Sequence, residues 1–538
     1  MIIVEPVAVG DVACMRPSLK WVWDRTGTLV EVPPDTLGVT YDPSDLSKAP
    51  YALIEPETTN HVRNNTMVGA VVGTPGTPPT TWGTVDLGVN AGITRSIVGS
   101  GIENGVNYLD FRYEGVASAF SASFVRFNPA GAVPAAIGEK WAQGVFLKVV
   151  ESGPTTPEVR LFITERDSAT ASAGIGELLI DPTEVLREFG MEYTISSPAA
   201  VSAYSGFSVQ CASGQTYNFT IRVGLPQLCR EKLPVTPIRT SGAAITRAAD
   251  VIGPGAGLVY SNVPIAEPIY DSKASYAKDA LVYDPATRSI FMSLVANNTG
   301  KALTDTGAWA PRGAANRSAM FDEYNNTQTV MQDEILVVLT PEMIAQGLYL
   351  GNLDVDQVLL TVVDAIEGVV HSEIVELIEP NSQSSFFNWA FKRIKKRTYF
   401  FTLALPVYAN ALVTLCLRKA TGLAKCGMAA IGPVEEFGPT LLGLSTEGKD
   451  FSSTTFNFDG TSKTQIRPYA KRMSCEVVVA NSDITYVQDR LFELRQRPLV
   501  WVGGPYGITA VFGRYGSFKN VIPYQMESRM SLTIEGAV

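Results

Sequence analysis

Histidine is nearly missing from this chain: His61 and His371 are the only two among 538 residues. Zinc sites and Ser-His-Asp triads both draw on imidazole, so chemistry of that kind has almost no material here. Cysteine is scarce as well. The six (Cys14, Cys211, Cys229, Cys416, Cys426, Cys475) never form C-x-x-C. At about 1% of the chain they read as buried free thiols made in a reducing compartment, not as a disulfide scaffold. Charge is low at 18%, with 43 basic against 53 acidic residues and a net of −10. A chain with that balance does not coat nucleic acid by bulk attraction.

Long apolar helices are missing too. One uncharged run of 20 residues, Thr398–Leu417, holds Pro406 and Asn410. It reads as two strands, Thr398–Leu405 and Ala411–Leu417, and predicts no membrane insertion. The opening MIIVEPVAVGD carries Glu5 and Asp11 where a secretory signal needs positive charge, so none is expected.

What the chain has in quantity is short strands and turns. Gly (46) and Pro (33) slightly exceed ordinary usage, and 46% of the residues are hydrophobic. Strand patterns fit Val159–Thr164, Tyr217–Gly224, Ile335–Leu339, Val355–Val363, Cys475–Val479 and Ser531–Glu535. Only Pro182–Phe189 and Tyr486–Arg495 suggest helices. The fold class is therefore all-β and multi-domain, with sandwiches or barrels expected. Composition shifts predict an extended arm over 1–62, a jelly-roll over 63–235 and a flexible linker over 236–260. A small β module follows over 261–330, then β-rich domains over 331–385 and 386–538.

Enzymatic motifs fail one by one. Gly443–Asp450 has the G-x-x-x-x-G-K spacing, but Asp450 stands where magnesium needs a hydroxyl. Gly99–Gly105 has one residue too many for a dinucleotide fingerprint and reads as a turn. There is no G-x-S-x-G and no H-E-x-x-H. No catalytic residue, metal ligand or cofactor is expected, although carboxylate pairs that converge only in space leave no sequence trace. Phe386–Arg397 (FFNWAFKRIKKR) joins four aromatics to five basic residues. Such a segment either stacks on single-stranded nucleic acid or buries its rings and turns its cations to an acidic neighbour. The net charge favours the second reading.

The stretch from Ser275 to Trp309, with Tyr276, Tyr283, Phe291, Asn297-Asn298-Thr299-Gly300 and Trp309, resembles the small chitin-binding-type β module. That resemblance implies exposed rings that stack on sugars. Trp309, Tyr276 and Tyr283 are the candidate glycan contacts, with Asn298 for a hydroxyl. The competing reading makes the same rings core, most of all Tyr283 within its alternating strand.

A wider resemblance runs along the chain. Arg16, Tyr41-Asp42-Pro43 and Leu53-Ile54-Glu55-Pro56-Glu57-Thr58-Thr59-Asn60 resemble the leading segment of structural proteins of tailed bacteriophages. The likeness continues through Gly69–Thr77, Trp82, Asn104–Asp110 and Arg112. It goes on through Pro226-Gln227-Leu228, Pro237-Ile238, Thr240-Ser241 and Thr246–Asp250. Asn316–Asp322, Thr327-Gln328-Thr329 and Trp501–Gly504 extend it downstream. His61 and Cys229 depart from the pattern, in connecting segments. The resemblance implies a carbohydrate-binding-module-like jelly-roll in a virion component of the tail tip or baseplate, made in the host cytoplasm. Its implied partners are other tail proteins and copies of itself in a homo-oligomer, with host surface polysaccharide as a further ligand. A receptor-binding protein or a tail-borne depolymerase is the alternative.

Overall fold

The structure, a computed structural model, describes residues 1–87, 92–129, 131–378, 386–391, 396–456, 458–467 and 469–537. The fold is all-β. Its chain divides into a sandwich unit (14–46 and 53–251) and a C-terminal unit (1–13, 47–52 and 252–538).

The sandwich unit grows from strict alternation. Along Thr216–Arg230, Tyr217, Phe219, Ile221 and Val223 are buried, while Asn218 and Arg222 face the other way. A period of two puts every second side chain on one face, so these four enter the core, while Thr220 on the opposite face is buried as well. One antiparallel sheet runs in the order Ile93–Glu103, Val106–Val116, Thr216–Arg230, Lys140–Glu151, Arg187–Thr194. The other runs Ser172–Ile180, Glu158–Arg166, Ser202–Cys211, Ser121–Arg126, Gly83–Leu87. Successive strands such as Lys140–Glu151 and Glu158–Arg166 fall in different sheets, as in a jelly-roll. Phe111, Trp141, Phe207 and Phe219 share the core of this unit. The stretch Gly99–Gly105 ends in a hairpin turn at Asn104 and Gly105, both at positive φ. A Cβ at Gly105 would sit 2.4 Å from the Leu29 carbonyl oxygen, so only glycine fits.

Three sequence expectations are corrected here. Pro182–Phe189 is no helix: its end joins the strand Arg187–Thr194, which pairs with Lys140–Leu147. Phe189 packs on the sandwich core, so sheet pairing overrides a weak helical pattern. The segment 236–250 is no flexible linker, because Thr236, Ile238, Thr240, Arg247 and Asp250 are all buried. Asn60 Nδ2 and Asn65 Nδ2 each donate to the Ile238 carbonyl at 2.9 Å, and Asn65 Oδ1 accepts from Thr240 N at 2.7 Å. Residues 1–62 are not an unattached arm either. Ile2–Val4 is an inner strand of the C-terminal unit, and Arg16 and Lys20 are buried in the sandwich unit.

The burial of those two cations has a visible cause. Arg16 Nη1 meets Asp250 Oδ1 at 2.8 Å, and Lys20 Nζ meets Asp250 Oδ2 at 2.6 Å. Lys20 also reaches Glu55 Oε2 at 3.2 Å, which Arg247 Nη1 meets at 2.9 Å. Arg16 donates further to the carbonyls of Ser18, Thr36 and Pro33. Three cations and two carboxylates thus form one dry knot in which Arg16, Lys20, Glu55 and Asp250 are held by several partners each. Such knots are specific in geometry and costly to break. Arg16, Glu55, Asn60, Arg247 and Asp250 all belong to the motifs that carried the phage resemblance, so those motifs are folding determinants.

In the C-terminal unit a six-stranded sheet runs Gly10–Asp11, Gly257–Ser261, Thr329–Thr340, Leu412–Cys426, Gln357–Asp364, Gly368–Glu376. The boundary expected at 385/386 therefore cuts across one sheet, whose strands Thr329–Thr340 and Leu412–Cys426 lie side by side. A seven-stranded sheet includes Ile2–Val4, Leu499–Val502, Ala510–Val521, Glu527–Gly536 and Tyr469–Ala480. The helix Ile484–Glu493 packs Val487 and Leu491, one turn apart, into the core of that sheet. Gly443–Asp450 ends in an exposed strand, Ser445–Asp450. All six cysteines are buried and none is in a disulfide.

Candidate functional site

The small module within 261–330 is built on the three strands Leu281–Asp284, Ser289–Ser293 and Trp309–Ala314. It brings Trp309, Tyr276 and Asn298 together, Asn298 lying opposite Tyr276 across a strand pair, and places Tyr283 in a separate cluster. Trp309 is 1% exposed and packs on Val282 and Ala308, with Nε1 donating to the Lys301 carbonyl at 3.0 Å. A ring in that setting has no face to offer a sugar. Trp309 is a core residue, and its expected role as a platform is corrected. Tyr283 is buried against Ile290 and Ala315. Asn298 is buried as well, with Nδ2 donating to Ser293 Oγ at 3.0 Å and to the Ala308 carbonyl at 3.1 Å, so its amide serves the fold.

Tyr276 is different. Its half-buried ring meets Trp309 edge-on at 5.3 Å between centroids. It stacks with Tyr270 at 6.1 Å and 22°. Tyr270 also meets Trp309 edge-on at 5.7 Å, and its hydroxyl donates to the Lys301 carbonyl at 2.6 Å. Tyr276 Oη accepts from the Asp271 amide at 2.7 Å. Trp309 is thus the floor under two near-parallel tyrosines whose hydroxyls are pinned to backbone. Rings so fixed lose little entropy when a ligand stacks on their outer faces. Tyr270 was missed in the sequence because the module-like pattern begins five residues later; the Tyr-x5-Tyr spacing was its only signal.

The outward face of the five-stranded sheet carries chemistry of another kind. Arg222 forks onto Asp110, Nε to Oδ1 at 2.8 Å and Nη2 to Oδ2 at 2.9 Å. Its Nη1 reaches Glu103, which Lys148 Nζ meets at 2.7 Å, and its guanidinium lies 3.4 Å from the centroid of the Tyr108 ring. These partners together hold the Glu103 carboxyl below its ordinary range against the opposing effect of burial. Every charge here is matched inside the sheet.

Phe386–Phe391 forms a short helix whose Phe386, Phe387 and Phe391 are exposed, which corrects the expectation that they are core. Residues 392–395 lie outside the described residues. Lys396 pairs with Asp356, and Arg397 Nη2 donates to the Glu376 carbonyl at 2.6 Å. Among the described residues no group of three or more His, Cys, Asp or Glu is placed to hold a metal ion.

No protein-family model matches this chain, and no curated protein matches it. Solved structures do. The chain is similar to an enzymatically active domain of tailspike protein 4 of bacteriophage CBA120, at 13% identity and a TM-score of 0.20. That match covers 28% of this chain and 19% of the tailspike, so the chain spans about a fifth of its length. A family 4 carbohydrate-binding module matches at 13% identity and a TM-score of 0.21, over 32% of this chain and 99% of the module. The family 11 module of a Clostridium thermocellum cellulase matches at 14% identity and 0.20, over 30% and 94%. The jelly-roll assignment rests on the sheet order itself.

Proposed function

We propose that this chain is a non-enzymatic structural component of a tailed-phage virion, at the tail tip or baseplate. In this reading it holds neighbouring tail proteins and copies of itself, and offers a small glycan-contact face at Tyr270 and Tyr276. The observation that carries the assembly role is a solvent-facing hairpin, Ser453–Phe456 paired with Ser462–Gln465, with Phe456 and Phe458 exposed at its turn end and Ile466 exposed past its open end. Large apolar side chains left in water along one hairpin mark a surface that another protein covers. The motif resemblance supplies the particle, and the stacked tyrosines supply the glycan contact.

Antibody labelling of intact particles tests the location. Decoration of the distal tail is expected, and decoration of the head would overturn the reading. Incubation with purified host polysaccharide tests the chemistry. Retention without chain shortening is expected, and shortening would favour the depolymerase. The double substitution Tyr270→Ala, Tyr276→Ala removes retention if the rings make the contact.

A further inference from the structure

We propose that the C-terminal unit also holds a binding site for an acidic saccharide, in a cavity of about 490 Å³ lined by Tyr349, Tyr399, Tyr469, Asn352, Arg467 and Lys471. The volume suits a small ligand, since such sites span roughly 300–1,000 Å³. The lining holds two cations and no Asp or Glu, in a chain whose net charge is −10.

Neither cation is paired with a carboxylate among the described residues, unlike their neighbour, and Arg467 Nη2 donates only to the neutral Gln465 Oε1 at 3.4 Å. Arg472 Nη1 is paired with Glu447 Oε1 at 3.0 Å. Lys471 has no carboxylate within salt-bridge distance among the described residues; its Nζ lies 5.3 Å from the centroid of the Tyr399 ring. Burial lowers the Lys471 pKa, the mark of an ammonium stripped of water and given no counter-ion. An anion entering the cavity would supply one.

The other walls are set in advance. A Cβ on Gly507 would fall 1.8–2.1 Å from Tyr399 ring atoms, so the ring is wedged against that glycine. A Cβ on Gly427 would meet the Asn325 carbonyl oxygen at 2.7 Å and Asn352 Nδ2 at 2.9 Å. Asn352, at φ 51°, donates from Nδ2 to that same carbonyl at 2.6 Å. Fixed tyrosine faces suit the C–H surface of a pyranose, side-chain amides suit its hydroxyls, and the two cations suit a carboxylate. A bare phosphate would use the cations alone.

The test measures binding of tetragalacturonate, neutral galactotetraose and inorganic phosphate to the full chain. Tetragalacturonate should bind at least about tenfold more tightly than either control. Lys471→Gln and Arg467→Gln should each weaken it about tenfold with an unchanged melting temperature, and Gly507→Ala should weaken it by displacing Tyr399. Equal binding of the neutral sugar, phosphate binding of equal strength, no binding of tetragalacturonate, or indifference to Lys471→Gln would each overturn the proposal. The Tyr270→Ala, Tyr276→Ala variant should keep its affinity for tetragalacturonate, which separates this site from the glycan face of the small module.

Discussion

The ion knot of the sandwich unit and the basic cavity of the C-terminal unit use the same side chains to opposite ends. In the knot, Arg16 and Lys20 are fully buried and share Asp250, with Glu55 completing the set. In the cavity, Lys471 is part-buried with a ring beside it and no acid. Burial alone does not separate a structural charge from a functional one. What separates them is whether the chain itself provides the counter-charge.

The sharpest way to break the comparison is Asp250→Ala. It strands two buried cations and should cost about 3–5 kcal/mol, read as a fall in the unfolding midpoint of the sandwich unit. Trp309→Ala should come next, at roughly 3 kcal/mol, the low end for a large aromatic in so small a core. A loss under about 1 kcal/mol would restore Trp309 as a surface ring.

Glu188 is a third kind of charge, a part-buried acid with no salt-bridge partner among the described residues. Its Oε1 accepts only from Gln227 Nε2 at 3.4 Å, and burial pushes its carboxyl up to about 7. The folded state therefore holds a proton that the unfolded chain releases near pH 4.3. Stability is fully present below that value and falls as pH rises through about 7, by roughly 2 kcal/mol after screening at its partly exposed side chain. Glu188→Gln should flatten that slope in denaturant titrations across the same range. The smallest effect is expected at Lys471→Gln, within about 0.5 kcal/mol of the parent in stability. A large destabilisation there would mean that the cavity's cation is structural after all.

Much of the local structure was legible because it is written in nearest neighbours. Alternation at Tyr217–Gly224 gave a strand whose apolar face is in the core, and apolar spacing gave the helix Ile484–Glu493, two residues earlier than the predicted Tyr486–Arg495. Of the turn expected over Gly99–Gly105 only Asn104 and Gly105, both at positive φ, make the turn; Gly99–Glu103 continue the strand Ile93–Glu103. Where a local pattern met a longer-range competitor, it failed. Pro182–Phe189 lost its helix to pairing with Lys140–Leu147, and the polar stretch after Thr236 lost its freedom to Asn60, Asn65 and Glu55.

The all-β class, the burial of the cysteines and the aromatic character of the small module follow from residue type and short spacing. Which ring faces water and which charge lacks a partner depends instead on packing across the fold. Trp309 and Tyr276 are both aromatic residues of one module, yet Val282 and Ala308 close over the first while the second keeps an open side. The cavity draws Asn352, Tyr399, Lys471 and Phe512 from four separate stretches of chain. Exposure and pairing are properties of what lies across space from a side chain, and strand pairing over long separations sets that neighbour.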